Sequence, residues 1–547
     1  MILKIITICI KLLTNFKESR VKRIAIVIGL LMGVSTLPGE AASCLKGTAS
    51  GELSGTFDRR GLVCITQPVM KENYVAATLS GAQRAQLTDA RQQSLRALVA
   101  RGPADGAHSL LFALPAQQAS TLILEGEAGT PWSLRWQAHE TVPLDREQPL
   151  APVSPTLQQL ARHLAAGGDT AAFWRQIAAR GTPLVEPVDN DHRRVTFLWR
   201  GARRNVFILG SPGGDHDPLF RLGQSDVWFR SYVVPADTLM QYKLAPDVPK
   251  TNGGAREQRR AILATAQADP LNPQQFLPGQ DDRWNRASLL ALGSGRQCGV
   301  PADLNGVRHG TLTRHTFDSA RLGNRRDIQL YRPAKAARWT LMVFDGNTYQ
   351  EDYRLASVVD RLIADHRLPP VNVVFIDSLD FARRSHELPP NRDFADMMAL
   401  ELLPWLRARG IEPQGRRTIV TGSSYGGLAA SWVALRHPAA FGNVLSLSGS
   451  YWWAPKGQPA SWLTREYQRA PRLPVRFWLQ AGRFETQGPD GGIYRNTVEF
   501  AQTLKEKGYA VSFHPWSSGH DYAAWCEAMM QGVLDLTQAR RVHGESE

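Results

Sequence analysis

Hydrophobic and polar positions follow three successive rhythms along the chain of 547 residues. Between residues 44 and 150 the rhythm is short and strand-like. β-Branched or aromatic runs at 61–66, 74–79, 109–114, 120–124 and 132–136 are bounded by turn residues, which predicts a small β-sandwich. A Pro-rich stretch at 149–155 closes it. Leu157, Leu160, Leu164, Phe173 and Ile177 then recur at helical spacing, so 151–190 reads as a helical linker. A second strand-rich block, 191–250, has runs at 195–199, 205–209, 227–234 and 241–244 and predicts an immunoglobulin-like sandwich. From Thr313 onward, apolar runs at 339–344, 372–376, 418–420, 444–447, 476–479 and 511–513 alternate with helical patterns. Apolar strands separated by helices predict a mostly parallel sheet covered on both faces, within 251–540. The expected fold class is α/β, its sheet domain preceded by two β-sandwich domains.

The first 43 residues read differently. Lys22 and Arg23 precede an apolar stretch at 24–37, and Gly39, Ala41, Ala42 and Ser43 follow. That order of charge, apolar run and small residues is that of a signal peptide, so a periplasmic or secreted protein is expected, with no stable membrane insertion once the leader is removed. An earlier apolar run at 2–13 leaves an upstream start site or an uncleaved anchor open. Without the leader, Cys44, Cys64, Cys298 and Cys526 remain, enough for two disulfides in an oxidising compartment. Cys44 with Cys64 and Cys298 with Cys526 are the natural pairs; buried free thiols are the alternative. No CxxC spacing calls for a metal site, and no cofactor is implied. The net charge of +14 favours an anionic partner. Scattered arginines without a recognition motif exclude nucleic acid. Nothing in the sequence sets an oligomeric state.

The chemistry is concentrated around Gly422-Ser423-Ser424-Tyr425-Gly426-Gly427. A β-branched strand enters this Gly-x-Ser-x-Gly and a helical pattern leaves it, which is the context of a nucleophile elbow. The fold expected for 251–540 is thus the α/β-hydrolase, with Ser424 as nucleophile. In that fold the acid and then the histidine follow the serine in the chain. His514 sits in a strand pattern, whereas His520 lies in a loop between the last strand and the last helix, which makes it the general base. Glu485 follows the preceding strand and is the expected acid; Asp490, in a Gly/Pro-rich loop, and Asp521, beside the histidine, are the others. An oxyanion hole needs two backbone N–H donors: Tyr425, after the serine, and Asn347, after the strand ending in Asp345-Gly346.

These segments resemble the enterochelin (ferric enterobactin) esterase family. The likeness spans roughly 190–540. It rests on Asp269-Pro270-Leu271-Asn272-Pro273-Gln274, Arg384 with Glu387-Leu388-Pro389, Ser448-Gly449-Ser450-Tyr451-Trp452-Trp453 and Gly519-His520-Asp521. The resemblance implies serine hydrolysis of the trilactone of a ferric catecholate siderophore, releasing iron. It also implies substrate contacts from Arg384, Tyr451, Trp452 and Trp453. Their alternative role is structural, an Arg384–Glu387 pair bracing a loop and aromatics filling the core. Two features depart from the family's familiar cytoplasmic members: the leader with residues 44–150, and Glu485 in place of Asp. The same elbow would also serve a secreted carbohydrate or feruloyl esterase, or a siderophore- or glycan-binding protein on a hydrolase scaffold. A fluorophosphonate would fail to label such a binder at Ser424.

Overall fold

The computed structural model describes residues 44–538, apart from 48–49, 68–72, 100–106, 115–118, 140–149, 211, 215, 251–252, 277–281 and 294–305. The expected leader and Cys298 lie outside the described residues. Cys44, Cys64 and Cys526 are disulfide-bonded, so they are not free thiols. Among the described residues no helix is long and apolar enough to cross a membrane.

The first block folds into two antiparallel sheets. One places Leu62–Gln67, Ser120–Glu125, Arg84–Asp89 and Ser94–Val99 side by side; the other places Ser50–Thr56, Pro131–His139, Asn73–Ser80 and Ala107–Leu114. Strict alternation on Ser120–Glu125 sends Leu122 and Leu124 inward, where they meet Phe112, Trp132, Leu134 and Trp136. Ser50–Thr56, Arg84–Asp89 and Ser94–Val99 were not among the expected strands. Their charged, glycine and small residues dilute the apolar alternation that marks the others.

The expected division at 250/251 is corrected by strand pairing. Ala287–Ala291 pairs with Leu239–Pro246, and Leu290 joins the same core as Val195, Phe197, Ile208 and Tyr242. The second sandwich therefore runs from Leu184–Pro187, which pairs with His192–Arg200, to Ala291. Helices Pro155–Ala165 and Ala171–Arg180 form where the periodicity placed them. Leu157, Trp174 and Ile177 pack on Leu198, Val227 and Phe229, so this segment is a layer of the second sandwich rather than a spacer.

The third block is one eight-stranded sheet: β1 (Thr311–Ser319), β2 (Asn324–Arg332), β3 (Trp339–Phe344), β4 (Val371–Ile376), β5 (Thr418–Ser423), β6 (Asn443–Leu447), β7 (Arg476–Gly482) and β8 (Ala510–Trp516). Their order is β1-β2-β4-β3-β5-β6-β7-β8. From β4 to β8 every pairing is parallel, while β1–β2 and β2–β4 are antiparallel. All residues of β3 and β5 are buried, as a strand covered on both faces requires. One cover includes α1 (Tyr425–Arg436), through Leu428 and Val433. The other includes α2 (Tyr522–Gln538), through Cys526 and Met530. This is the expected α/β-hydrolase arrangement, and it aims the carboxyl ends of β3 to β7 at one region.

Candidate active site

Strand β5 delivers Ser424 into a sharp turn with φ 57° and ψ −117°, and α1 begins at the next residue. That turn tolerates no bulk. A Cβ on Gly422 would lie 2.8 Å from the Cα of Gly426, so Gly422 must be glycine. Ser423 is fully buried beneath the turn, while Ser424 is partly accessible. Its Oγ lies 3.3 Å from Ser450 Oγ, and it forms no hydrogen bond to His520. Serine has one side-chain torsion, so a rotamer change re-aims the hydroxyl; in ligand-free sites such contacts commonly tighten on substrate binding.

His520 stands on the loop between β8 and α2, half-exposed. Its Nδ1 is 2.7 Å from Glu485 Oε2, and Glu485 follows β7 directly. The Glu485 side chain is 4% exposed and that of His520 is 39%. The carboxylate has further donors: Gly482 N–H at 2.8 Å and Ser448 Oγ at 2.5 Å, both to Oε1. Ser448 in turn accepts from Trp525 Nε1 at 2.8 Å, and the Trp525 ring stands at 90° to His520, centroids 4.6 Å apart. A carboxylate fixed by Gly482 N–H and Ser448 Oγ holds the imidazole through Nδ1 and leaves Nε2 for the serine. Sequence reasoning missed Ser448 and Trp525. Ser448 carried a signal, as part of a segment shared with the resembled family.

The other candidates separate cleanly. Asp490 is exposed in a short kinked helix, and the His520 ring is bonded to Glu485 rather than to it. Asp521 is buried and points into the base of α2, accepting from Ala524 N–H at 3.1 Å. Burial pushes its carboxyl up to about 7, helped by the nearby Glu485 charge. His514 stacks on Trp478 at 4.4 Å, and burial lowers its pKa.

At the end of β3, Asp345 takes φ 53° and Gly346 is pressed against β4, where a Cβ would meet Ile376 N at 2.3 Å. Asn347 is half-buried at the start of the next helical turn. Tyr425 is the first residue of α1, so its N–H has no acceptor within the helix. Asp345 Oδ2 lies 3.7 Å from the Cβ position of Gly426, so the end of β3 lies beside the elbow.

Arg384 corrects one expectation. It does not pair with Glu387; it grips Asp345 with two hydrogen bonds of 2.7 Å. Burial opposes its charge, yet the Asp345 carboxylate holds its pKa above the usual value. Glu387 binds the buried Arg326 instead, at 2.7 Å. Tyr451 is a second correction. It is 0% exposed, its hydroxyl is shared between Ser431 and Ser446, both at 2.8 Å, and it stacks on Phe500. No substrate reaches it. Trp452 is partly exposed and leans on Tyr425, centroids 6.2 Å apart, at the rim; Trp453 packs on the core beside Trp462. The second sandwich touches the site through Leu239 N–H, which donates to Ser517 O at 3.0 Å, and through Phe484, packed on its core.

Residues 319–536 match the family model described as "Putative esterase". Residues 194–297 match "Enterochelin esterase, N-terminal", which ends close to the corrected boundary. The chain is 31% identical over 411 residues to the iron(III) enterobactin esterase of Dickeya dadantii, covering 66% of this chain and 91% of that one. It is 29% identical to the iron(III) salmochelin esterase of Escherichia coli O6:H1, covering 71% and 98%. Among solved structures, the enterobactin esterase of Shigella flexneri, crystallised in the presence of 2,3-dihydroxy-N-benzoyl-serine, superposes with a TM-score of 0.55 at 27% identity, covering 68% of this chain and 99% of that one. Those relatives are nearly used up by two thirds of this chain, so the first sandwich lies outside the shared part. With an α/β-hydrolase sheet, a serine elbow and relatives matched along almost their whole length, the chain is a carboxylic ester hydrolase and belongs to the enterochelin (iron(III) enterobactin) esterase family.

Proposed function

We propose that this protein is a serine esterase that opens the trilactone ester bonds of a ferric catecholate siderophore and so releases iron. The observation that carries the reading is the 2.7 Å bond from His520 Nδ1 to the buried Glu485 carboxylate, in a chain whose elbow holds Ser424 at φ 57°. Ser424 Oγ attacks the ester carbonyl carbon while His520 Nε2 takes its proton. The N–H groups of Tyr425 and Asn347 hold the oxyanion. The C–O bond to the leaving seryl oxygen then breaks, and His520 returns the proton to that oxygen. Water, activated by the same imidazole, cleaves the acyl-enzyme and frees Ser424. Glu485 fixes the imidazole tautomer and steadies its positive charge. Trp452, at the rim beside Tyr425, offers an aromatic face to the substrate.

Support for the substrate comes from the relatives named for enterobactin and salmochelin and from the net charge of +14, which suits an anionic iron complex. Disulfide-bonded Cys44, Cys64 and Cys526 support an exported, periplasmic or secreted location. The test is product analysis of the purified chain with ferric and iron-free enterobactin at neutral pH. Linear dihydroxybenzoyl-serine fragments are expected, and Ser424→Ala abolishes them. Faster turnover of a feruloylated sugar than of either siderophore would overturn the substrate assignment.

A further inference from the structure

The first sandwich lies beyond both family models, which begin at residue 194, yet it does not stand apart from the catalytic sheet. A cleft of about 810 Å³ opens between them. One wall is an end of the first sandwich: Arg60 and Gly61 beside Leu62, then Gln83 with Arg84, and Glu125 with Gly126. Leu62, Glu125 and Arg84 stand opposite one another on three adjacent strands, so this wall is one rigid edge. The other wall is the outer face of the β1–β2 hairpin. Arg314 pairs with Gln329, Thr316 with Asp327 and Asp318 with Arg325. Alternate residues share a face, which makes that face polar throughout, while Phe317, Ile328 and Leu330 point into the core.

The position is informative. Strand β2 runs antiparallel to β4, so its start, with Arg325 and Arg326, lies at the carboxyl end of the parallel strands, where the elbow is. Asn347, which follows the end of β3, and Leu379, after β4, both line the cleft. The cleft therefore adjoins the reacting serine's side of the sheet.

Its charges favour an anion. Arg60, Arg84, Arg314 and Arg325 line it, Arg325 in an exposed pair with Asp318, while the buried Arg326 at its floor is neutralised by Glu387. Of the lining carboxylates, Asp327 and Glu351 are taken by Arg314, and Glu125 by Arg84. Burial pushes the fourth, Asp377, up to about 6. Arg60 and Arg84 are held only by exposed pairs, with side chains 60% and 63% accessible. Such pairs are weak and easily exchanged for a ligand, and guanidinium forks suit clustered oxygen anions. A volume of this size lies within the range of sites for compact organic ligands.

We propose that the first sandwich supplies one wall of the substrate site, with Arg60 and Arg84 closing on the iron-bearing, catecholate head of the siderophore while its ester backbone reaches Ser424. Three catecholate dianions around one ferric ion leave a triply negative, oxygen-rich surface, which the iron-free trilactone lacks. The proposal rests on the siderophore reading above and extends it to a region that the matched relatives do not share.

The test is titration of ferric enterobactin into the full-length Ser424→Ala chain, followed by quenching of tryptophan fluorescence. Adding Arg60→Ala and Arg84→Ala weakens binding by about tenfold or more, with a smaller change for iron-free enterobactin. Arg84→Glu alone weakens it in the same direction. Arg91→Ala, an exposed arginine of the same sandwich outside the cleft, leaves the affinity as it was, and melting curves establish that every variant is folded. A ferric-complex affinity within about twofold of the parent in both the double variant and Arg84→Glu overturns the cleft and leaves the siderophore reading standing. Failure of the Ser424→Ala chain to bind ferric enterobactin at all overturns that reading, and the cleft with it.

Discussion

Four neighbouring strands of the catalytic sheet, β4, β3, β5 and β6, each run into a non-glycine residue with positive φ: Leu379 at 64°, Asp345 at 53°, Ser424 at 57° and Ser448 at 46°. In the first sandwich, the described non-glycine residues include one such position, Gln92 at 60°, in an exposed turn. Side-chain pairing divides the two regions in the same way. Around the elbow the carboxylates of Asp345 and Glu485 are buried and bonded on both oxygens. In the sandwich, Arg135–Glu52 and Arg84–Glu125 are exposed pairs. Positive φ at such residues costs of order 1–3 kcal/mol each and persists where the surroundings over-determine it. The elbow region holds strain with buried polar networks, whereas the sandwich gains its stability from inward-facing apolar residues. Reaction geometry demands the first arrangement, and a supporting wall needs the second.

That contrast can be broken by removing the reactive group from the strained turn. Ser424→Ala should cut turnover about ten-thousandfold or more with a melting curve close to the parent's, and fluorophosphonate labelling should vanish. Glu485→Gln should lower kcat by roughly a hundredfold or more, with KM nearly unchanged, read from steady-state kinetics.

The buried carboxyl of Asp521 sharpens the comparison through pH. Its folded pKa, about 7, lies above the ordinary 3.8, so the folded state holds that proton across the interval. Stability from this group is therefore lost as pH rises from about 4 to about 7. Asp521→Asn carries no such charge, so its melting temperature relative to the parent should climb between pH 4 and pH 8. Smaller still is the effect expected at Tyr451. Tyr451→Phe should cost about 1 kcal/mol of stability and leave KM unchanged, while Trp452→Ala should raise KM and leave the melting curve in place. On the sandwich, Arg135→Ala should shift stability by less than about 1 kcal/mol, measured by denaturant titration.

Much of the catalytic sheet was legible in the sequence because its signals are local. Runs such as 339–344 and 372–376 are apolar without interruption, and strands β3 and β4 sit on them almost residue for residue. The β1–β2 hairpin was harder to read. Its apolar and charged residues are mixed, since one face meets the core and the other meets the arginine-lined cleft. The boundary near 250 failed for a related reason: Ala287–Ala291 returns to the second sandwich after a helix and a long connection, and no short-range pattern announces that partner.

At the site, the sequence by itself determined the elbow, because Gly-x-Ser-x-Gly between a strand and a helix encodes a steric requirement within a few residues. It also singled out His520 by its loop, and Glu485 by following β7. Tertiary structure alone decided that Arg384 grips Asp345 rather than Glu387, that Tyr451 is sealed in the core, and that Ser448 and Trp525 brace the acid. It alone brought Arg60 and Arg84 across from Arg314. These pairings join residues tens to hundreds of positions apart. Their energy depends on distance and burial in the folded chain, quantities that spacing along the sequence does not contain.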